Sequence, residues 1–242
     1  MKARGKASIT GMKARKWVSN SEEVISKIPE ELRATELAIS HDTQPITSTL
    51  GMLWHSSEDA LTVAVSTVDK PTPITKRNVL KKIATVFDPL GLISPVLVRG
   101  KILLQVLWAR GYDWDDEIKD DVANEIQAFF GQLSIVSQVE IPGSIRNKAT
   151  VVSLELITFV DTSTSAFGAA VYARVEYEQP VPTTCHLLAS KSKVAPLAPM
   201  TAPRLELMAA VVGLRLTQAL IKVLELPMSA VIFYSDSLDV LL

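Results

Sequence analysis

Three acidic residues stand where their carboxylates could do chemistry together. Asp161 ends the apolar run "LITFVD", and Asp236 ends a second apolar run, "VIFYSD". Glu206 is the single acid between Leu205 and Leu224, in a segment that is otherwise almost wholly apolar. Acids are seldom placed on an apolar helix face without partners. These three residues are therefore the candidates for a shared site.

Three carboxylates in one partly dry site would need a cation, because they otherwise repel one another. Oxygen ligands without histidine or cysteine favour magnesium or manganese. Two such ions, roughly 4 Å apart, can hold a phosphodiester, generate hydroxide and stabilise the leaving oxygen. The residue types therefore indicate metal-dependent nucleolytic chemistry, with two Mg²⁺ (or Mn²⁺) ions expected in an intact site.

Other interpretations of the same acids stay open. Alone, Asp161 could be a turn acid before Thr-Ser-Thr-Ser, and Asp236 could cap a following helix.

The triplet in "FVDTS" also resembles the loop of an aspartic peptidase. Such a peptidase needs two loops with glycine after the threonine and an apolar-apolar-Gly segment beneath each. Here serine follows, and the nearest match, "VVGL" at 211–214, lies in a run with helical periodicity. A peptidase using Asp161 is the first alternative function.

The elements that would position these carboxylates form a strand-rich region from about residue 150. Strands are predicted at 149–161, 166–177, 183–194 and 228–236, and a long helix at 201–226. This order predicts an α/β domain whose last strand is parallel to the first. Since strand ends and helix starts meet in one crevice of such a sheet, we expect the three carboxylates within about 8 Å of one another.

The segment before residue 150 is predicted to be mainly helical. Thr75 should cap its first helix, and Gly111 should end the second. Acids cluster at the start of the third, where a calcium loop is disfavoured because its glycine and ligand spacing are missing. The predicted helices are 76–87, 98–111 and 112–133. Before them, a short helix at 17–29 and a hairpin of strands 49–54 and 60–68 are expected.

Basic residues occur in three groups that could contact nucleic acid. They could line a groove for an RNA–DNA hybrid, recognised by phosphate charge and duplex shape. Equally, each group could be a solvated face or tail. A non-catalytic nucleic-acid-binding module is therefore the second alternative function. The groups are Lys76, Arg77, Lys81 and Lys82 on the first helix; Lys191 and Lys193 after the third strand; and Lys2, Arg4, Lys6, Lys13, Arg15 and Lys16 at the amino end.

The composition is that of a globular chain, with 48% hydrophobic and 21% charged residues among 242. The net charge of −1 gives no overall electrostatic signature of nucleic-acid binding. A single cysteine, Cys185, excludes an internal disulfide and a multi-cysteine zinc site. No secretory signal is visible, and the apolar stretch "LMAAVVGLRL" is too short to span a bilayer. We expect an intracellular protein of the cytoplasm or nucleus, with no membrane and no small-molecule cofactor.

Several blocks of the sequence resemble BEL/Pao-type retrotransposon polyproteins. "FVDTSTSAFGAAVYAR", "LLASKSKVAPL", "TAPRLELMAAVVG" and "FYSDSLDVL" resemble their RNase H region. The stretch containing "FDPLGLISP" is similar to the segment between reverse transcriptase and RNase H, a region often labelled a Pao retrotransposon peptidase. "KARKWVSNSEEVISKIPEE" and "TLGMLW" look like the end of the reverse transcriptase. The blocks "FDPLG" and "PRLEL" are the most specific.

The resemblance implies a fold, a reaction and a site. It implies a reverse transcriptase tail at 1–70, a helical connection at 71–149, and at 150–242 an incomplete RNase H-like mixed sheet with a covering helix. Asp161, Glu206 and Asp236 fall on three of four metal-binding carboxylates, and the fourth would lie beyond residue 242. No "YxDD" polymerase motif is present. The expectation is a Pol polyprotein fragment, whose parent cleaves RNA in an RNA–DNA hybrid and whose own nuclease activity is impaired.

Overall fold

The computed structural model describes residues 15–34, 46–49, 52–65 and 72–241. Their backbone contacts divide the chain into two compact units. The smaller unit contains the described residues up to Thr62 together with Glu140–Gly143. The larger contains Val63–Val139 and Ser144–Leu242, so the helical segment and the strand-rich region lie in one unit. The division into three functional domains, 1–70, 71–149 and 150–242, stays a prediction.

The smaller unit has a short helix and most of a four-stranded sheet. Helix α1 spans Glu22–Ser26, shorter than the predicted 17–29. The predicted hairpin is confirmed, since the strands Met52–His55 and Ala60–Val63 are neighbours in the sheet. Its first strand begins later than predicted, because Thr49 ends a separate strand that pairs antiparallel with Met52–His55. The strands are β1 (Ile46–Thr49), β2 (Met52–His55), β3 (Ala60–Val63) and β4 (Ile141–Pro142), in that order across the sheet. Residues 66–68 of the second predicted strand, and Lys2, Arg4, Lys6 and Lys13, lie outside the described residues.

The larger unit begins with three helices around an apolar core. They are α2 (Lys76–Ala84), α3 (Ser94–Ala109) and α4 (Asp121–Val136). The Thr75 cap is confirmed, since its hydroxyl accepts a hydrogen bond from Asn78 N at 3.2 Å. The core between the helices is built from fully buried side chains, among them Val79, Leu107, Ile126, Phe129 and Leu133.

Helix α4 starts at Asp121, nine residues later than the predicted start at residue 112. Residues 112–120 precede α4, and the Asp120 carboxylate caps it by accepting from Val122 N at 3.1 Å. Hydrogen bonds from the Tyr112 hydroxyl and from Arg110 hold the pKa of Asp120 below its usual range. Arg110 also pairs with Asp121, and Arg77 pairs with Asp115. Asp115, Asp120 and Asp121 are therefore engaged in ion pairs with arginines instead of being arranged as ligands of a calcium loop.

A four-stranded sheet carries the strand-rich region, in the order β7-β6-β5-β8. Strands β5 (Val151–Thr162), β6 (Ala166–Tyr177) and β7 (Thr184–Val194) are antiparallel neighbours. Strand β8 (Val231–Tyr234) pairs parallel to β5, with Phe159 opposite Tyr234. The predicted parallel pairing of the first and last strands is confirmed. Both therefore end at the same edge of the sheet.

One long helix covers one face of this sheet. Helix α5 spans Ala202–Leu224 with Pro203 in its first turn, and the short helix α6 (Leu238–Leu241) follows β8. Leu205, Ala209 and Val212 of α5 form a core cluster with Val160 and Ala169 of the sheet. This buried contact explains why the helix is apolar on the side that faces the strands.

By length and composition, α5 could also cross a membrane, with 23 residues and a mean hydropathy of 1.7. The ten-residue stretch judged too short in the sequence is thus part of a longer apolar helix. A helix that packs against a sheet passes the same test, and α5 does pack against β5 and β6. One such helix is only weak evidence for a membrane location.

The "FDPLG" block joins the helical segment to the edge strand β7. Asp88 caps the turn before α3, its two carboxylate oxygens accepting from Leu92 N at 2.8 Å and Ile93 N at 2.9 Å. Ser190 N donates to the Leu90 carbonyl at 2.8 Å, and the Ser190 hydroxyl donates to the Gly91 carbonyl. This block is therefore a structural joint that holds the start of α3 against the sheet.

Candidate metal centre

Asp161 lies near the end of β5, where the strand turns towards β6. It is paired across the sheet with Gly168. Its Oδ1 accepts a hydrogen bond from Thr162 N at 2.7 Å, and the side chain is exposed. The Ser163 hydroxyl accepts from Ser165 N at 3.2 Å and Ala166 N at 3.1 Å. The hydroxyl residues after Asp161 thus form the turn.

Glu206 and Asp236 approach the same place from the helix and from the neighbouring strand. Glu206 lies near the start of α5 and is half-buried, with its Oε2 atom shielded from solvent. Asp236 follows β8 by two residues and is exposed. The parallel pairing of β5 and β8 brings the two aspartates to the same end of the sheet, where their strands finish. Glu206, near the start of α5, reaches the same end.

The structure brings the three carboxylates together. One oxygen from each of Asp161, Glu206 and Asp236 lies within 4.8 Å of the others, inside the 8 Å expected from the sequence. Two oxygens on one Mg²⁺ ion lie about 3 to 4 Å apart, and paired ions lie about 4 Å apart. The donor set and its spacing therefore fit hard divalent cations. Metal binding by these residues stays a prediction.

A groove of about 380 Å³ runs from Asp161 across the face of the sheet opposite α5. Its floor is made of small residues of β6 and β7, and the start of α3 forms one wall. Sequence reasoning missed this wall, because nothing in the block "FDPLGLISP" itself indicates a contact with a strand about 100 residues further along the chain. The lining includes Phe159, Asp161, Gly168, Ala170, Ser190 and Ser192 of the sheet, Ser163 of the turn after β5, and Ser94, Pro95 and Val98 of α3.

Two predicted basic contacts lie near the carboxylates. Lys191 and Lys193 are exposed on β7, and Lys193 is opposite Phe167, which in turn is opposite Thr162. Two strand spacings amount to roughly 10 Å. Contact of these two side chains with nucleic acid stays a prediction.

The predicted exposed position of Lys76 is wrong. Its side chain is only 3% exposed, its ammonium donates to the Tyr112 carbonyl, and it lies 3.9 Å from the Trp108 ring centroid. The carbonyl and the aromatic face together offset the cost of burying the charge. Arg77 is exposed but bonded to Asp115 through two nitrogens. Of the first basic group, Lys81 is exposed and Lys82 half-buried.

The peptidase interpretation gains no geometric support. The acidic neighbours of Asp161 are Glu206 and Asp236, which come from a helix and a parallel strand. The segment "VVGL" at 211–214 lies inside α5, as its periodicity predicted. An aspartic peptidase needs this segment as a loop support beneath a catalytic loop.

Comparison with known proteins places these features in a family. Residues 75–237 match the model of the Pao retrotransposon-like RNaseH-like domain. The match includes the three helices, the sheet and all three clustered acids. It confirms the resemblance to BEL/Pao-type elements and an RNase H-like mixed α/β fold. No curated protein matches the chain.

Two solved structures of a foamy viral protease-reverse transcriptase are similar to the chain. One is described in complex with dsDNA, at 14% identity and a TM-score of 0.37, covering 81% of this chain and 38% of that one. The other, a dRH form with ds DNA, has 16% identity and a TM-score of 0.37, covering 82% and 32%. This chain thus spans about a third of their length. Because the family model covers 75–237, well over half of the 242 residues, the chain belongs to the Pao retrotransposon-like RNaseH-like domain family.

Proposed function

We propose that the RNase H-like unit of this chain hydrolyses the RNA strand of an RNA–DNA hybrid as part of a retrotransposon Pol polyprotein. The observation that carries the proposal is the approach of the Asp161, Glu206 and Asp236 carboxylates to within 4.8 Å of one another. Membership of the RNaseH-like family supports the same reaction class. Mg²⁺ or Mn²⁺ would be the cofactor, since all three ligands are carboxylates.

Each acid has its own part in the proposed site. Thr162 N donates to Oδ1 of Asp161, which fixes the orientation of this carboxylate beside the cluster. Glu206 contributes the shielded side of the site, and Asp236 contributes the side open to solvent. A pair of bound Mg²⁺ ions would supply hydroxide and stabilise the leaving oxygen. The proposed reaction forms no covalent enzyme intermediate.

Cleavage of a labelled RNA–DNA hybrid by the full 242-residue chain tests the proposal. We expect RNA cleavage with Mg²⁺ or Mn²⁺, none with EDTA, and none with Glu206→Gln. Glu125→Gln, the same change on the exposed side of α4, should retain full activity. Turnover should be slow, because the described group holds three carboxylates and the resemblance implies four. Activity on peptides that resists EDTA, yields to pepstatin and survives Glu206→Gln would instead support the peptidase.

Hybrid binding without cleavage tests the contribution of the edge strand. In EDTA, the Lys191→Ala/Lys193→Ala variant is expected to bind a labelled hybrid roughly tenfold more weakly than the wild type, because two phosphate contacts are lost. The slope of log affinity against log salt concentration should fall by about 2. Lys148→Ala/Lys222→Ala removes the same charge from two other exposed positions. Equal weakening in both double variants would show that only net charge matters.

A further inference from the structure

A pair of buried hydroxyls joins the covering helix to the strand that carries Asp161. The Oγ1 atoms of Thr158 on β5 and Thr217 on α5 lie 2.6 Å apart, in hydrogen-bonding distance. Both residues are buried, with exposed fractions of 0% and 1%. A buried polar pair costs desolvation energy that an apolar pair of the same shape avoids. A hydroxyl pair in an otherwise apolar contact therefore indicates a role other than stability.

Each threonine lies on the same element as one of the clustered acids. Thr158 precedes Asp161 by three residues on β5, and Thr217 follows Glu206 by eleven residues on α5. Eleven residues are about three helical turns, so Thr217 and Glu206 lie on the same side of α5. The hydrogen bond therefore connects the strand that carries Asp161 to the helix that carries Glu206.

The rest of the contact is closely packed but has little directionality. A Cβ at Gly213 would lie 2.5 Å from Val160 Cγ1 and 3.3 Å from the Cβ atom of Ala169. The helix can therefore approach the sheet closely, over a surface of small and apolar side chains. Apolar burial fixes the separation of two elements, but it is non-directional. A rotation of α5 by about 20° would keep much of this contact and move the Glu206 carboxylate by roughly 2 Å.

We propose that Thr158 and Thr217 are positioning residues that set the rotation of α5 and so hold Glu206 at the correct distance from Asp161 and Asp236. The proposal rests on the proposed metal-dependent function. A hydrogen bond is directional, so it selects one rotation among those that apolar packing allows. Metal sites tolerate only a few tenths of an ångström in ligand distance. Loss of this bond would therefore change the distance from the Glu206 carboxylate to the other two, even though neither threonine touches a carboxylate.

The test compares Thr158→Val/Thr217→Val with Thr158→Ser/Thr217→Ser in the full chain. The valine pair keeps the shape and removes both hydroxyls, so its melting temperature without metal should stay close to that of the wild type. Its Mn²⁺ affinity, measured by titration with electron paramagnetic resonance detection, should fall about tenfold. The serine pair keeps both hydroxyls and should bind Mn²⁺ within about twofold of the wild type, although it loses two buried methyl groups.

The outcomes separate this inference from the proposed function. Wild-type Mn²⁺ affinity in the valine pair would overturn the positioning role and leave the metal site intact. Equal losses of affinity in the serine and valine pairs would also overturn it, since packing rather than the hydroxyls would be responsible. Failure of the wild type itself to bind Mn²⁺ would overturn the proposed function, and this inference with it. If the valine pair unfolds, each single valine variant is compared with its serine counterpart; its Mn²⁺ affinity should still fall, and its melting temperature should fall as well because one buried hydroxyl loses its partner.

Discussion

Replacing Asp161 by asparagine is expected to abolish Mn²⁺ binding and, at the same time, to make the metal-free chain more stable. Asp161 is the member of the cluster that β5 and Thr162 N hold in place. Asparagine keeps its size but loses the charge that attracts a cation, so affinity should fall by about 100-fold or more. Without metal, three carboxylates within 4.8 Å repel one another. Removing one charge relieves that repulsion.

Thermal unfolding with and without Mn²⁺ measures both effects in one experiment. The wild type should gain stability as Mn²⁺ is added, since the ion binds the folded state. Asp161→Asn should start from a higher melting temperature and gain nothing. Asp113→Asn, the same substitution at an exposed position before α4, should behave as the wild type does.

Two results would contradict the site assignment. One is a metal-free melting temperature that falls in Asp161→Asn, which would show that the carboxylate is engaged in a stabilising contact and not in repulsion. The other is an undiminished Mn²⁺ response in the same variant. Either result would leave the fold and the family unaffected, because neither depends on the charge of Asp161.

The features that the sequence predicted well are those set by local signals. The cap at Thr75 follows from its place before a helical pattern, and the parallel β8 follows from the order of strands and helix. The convergence of Asp161, Glu206 and Asp236 combines these signals with one topological rule about strand ends. Residues thirty or more positions apart could therefore be brought together without knowledge of any side-chain contact.

The features that the sequence missed depend on partners that are distant in the chain. Lys76 lies on the polar side of a helical pattern, yet Trp108 and the Tyr112 carbonyl enclose it. The acids before α4 suggested an earlier helix start, but Arg77 pairs with Asp115 and Arg110 with Asp120. In each case a tertiary contact outweighs a local preference of about 1 kcal/mol or less. No periodicity within the segment itself could have revealed that contact.

The joint between the helical segment and the sheet was missed for the same reason. Gly91 in "FDPLG" has a φ of +72° and would be expected in any turn of this kind. Its neighbour across the joint, Ser190, lies 99 residues further along the chain. The turn pattern in the sequence explains the positive φ of Gly91. It does not explain why position 91 has no room for a side chain.

Gly91→Ala is therefore expected to destabilise the larger unit by about 2 to 4 kcal/mol, far more than the turn conformation alone requires. A Cβ at this position would lie 1.9 Å from the Ser190 carbonyl oxygen, and that oxygen belongs to the backbone of β7. Relief of the overlap requires either the start of α3 or the edge strand to move. Both of them line the groove beside Asp161.

Gly111→Ala separates this overlap from the cost of the left-handed conformation. Gly111 has a φ of +75°, and a Cβ there would meet nothing within 4 Å, so alanine should cost only about 1 kcal/mol. In thermal unfolding followed by tryptophan fluorescence, we expect melting temperatures about 3 °C lower for Gly111→Ala and about 6 to 12 °C lower for Gly91→Ala. Equal losses in the two variants would show that β7 and the start of α3 are not in contact. The helical segment would then be an independent connection, and the groove beside Asp161 would lose one of its walls.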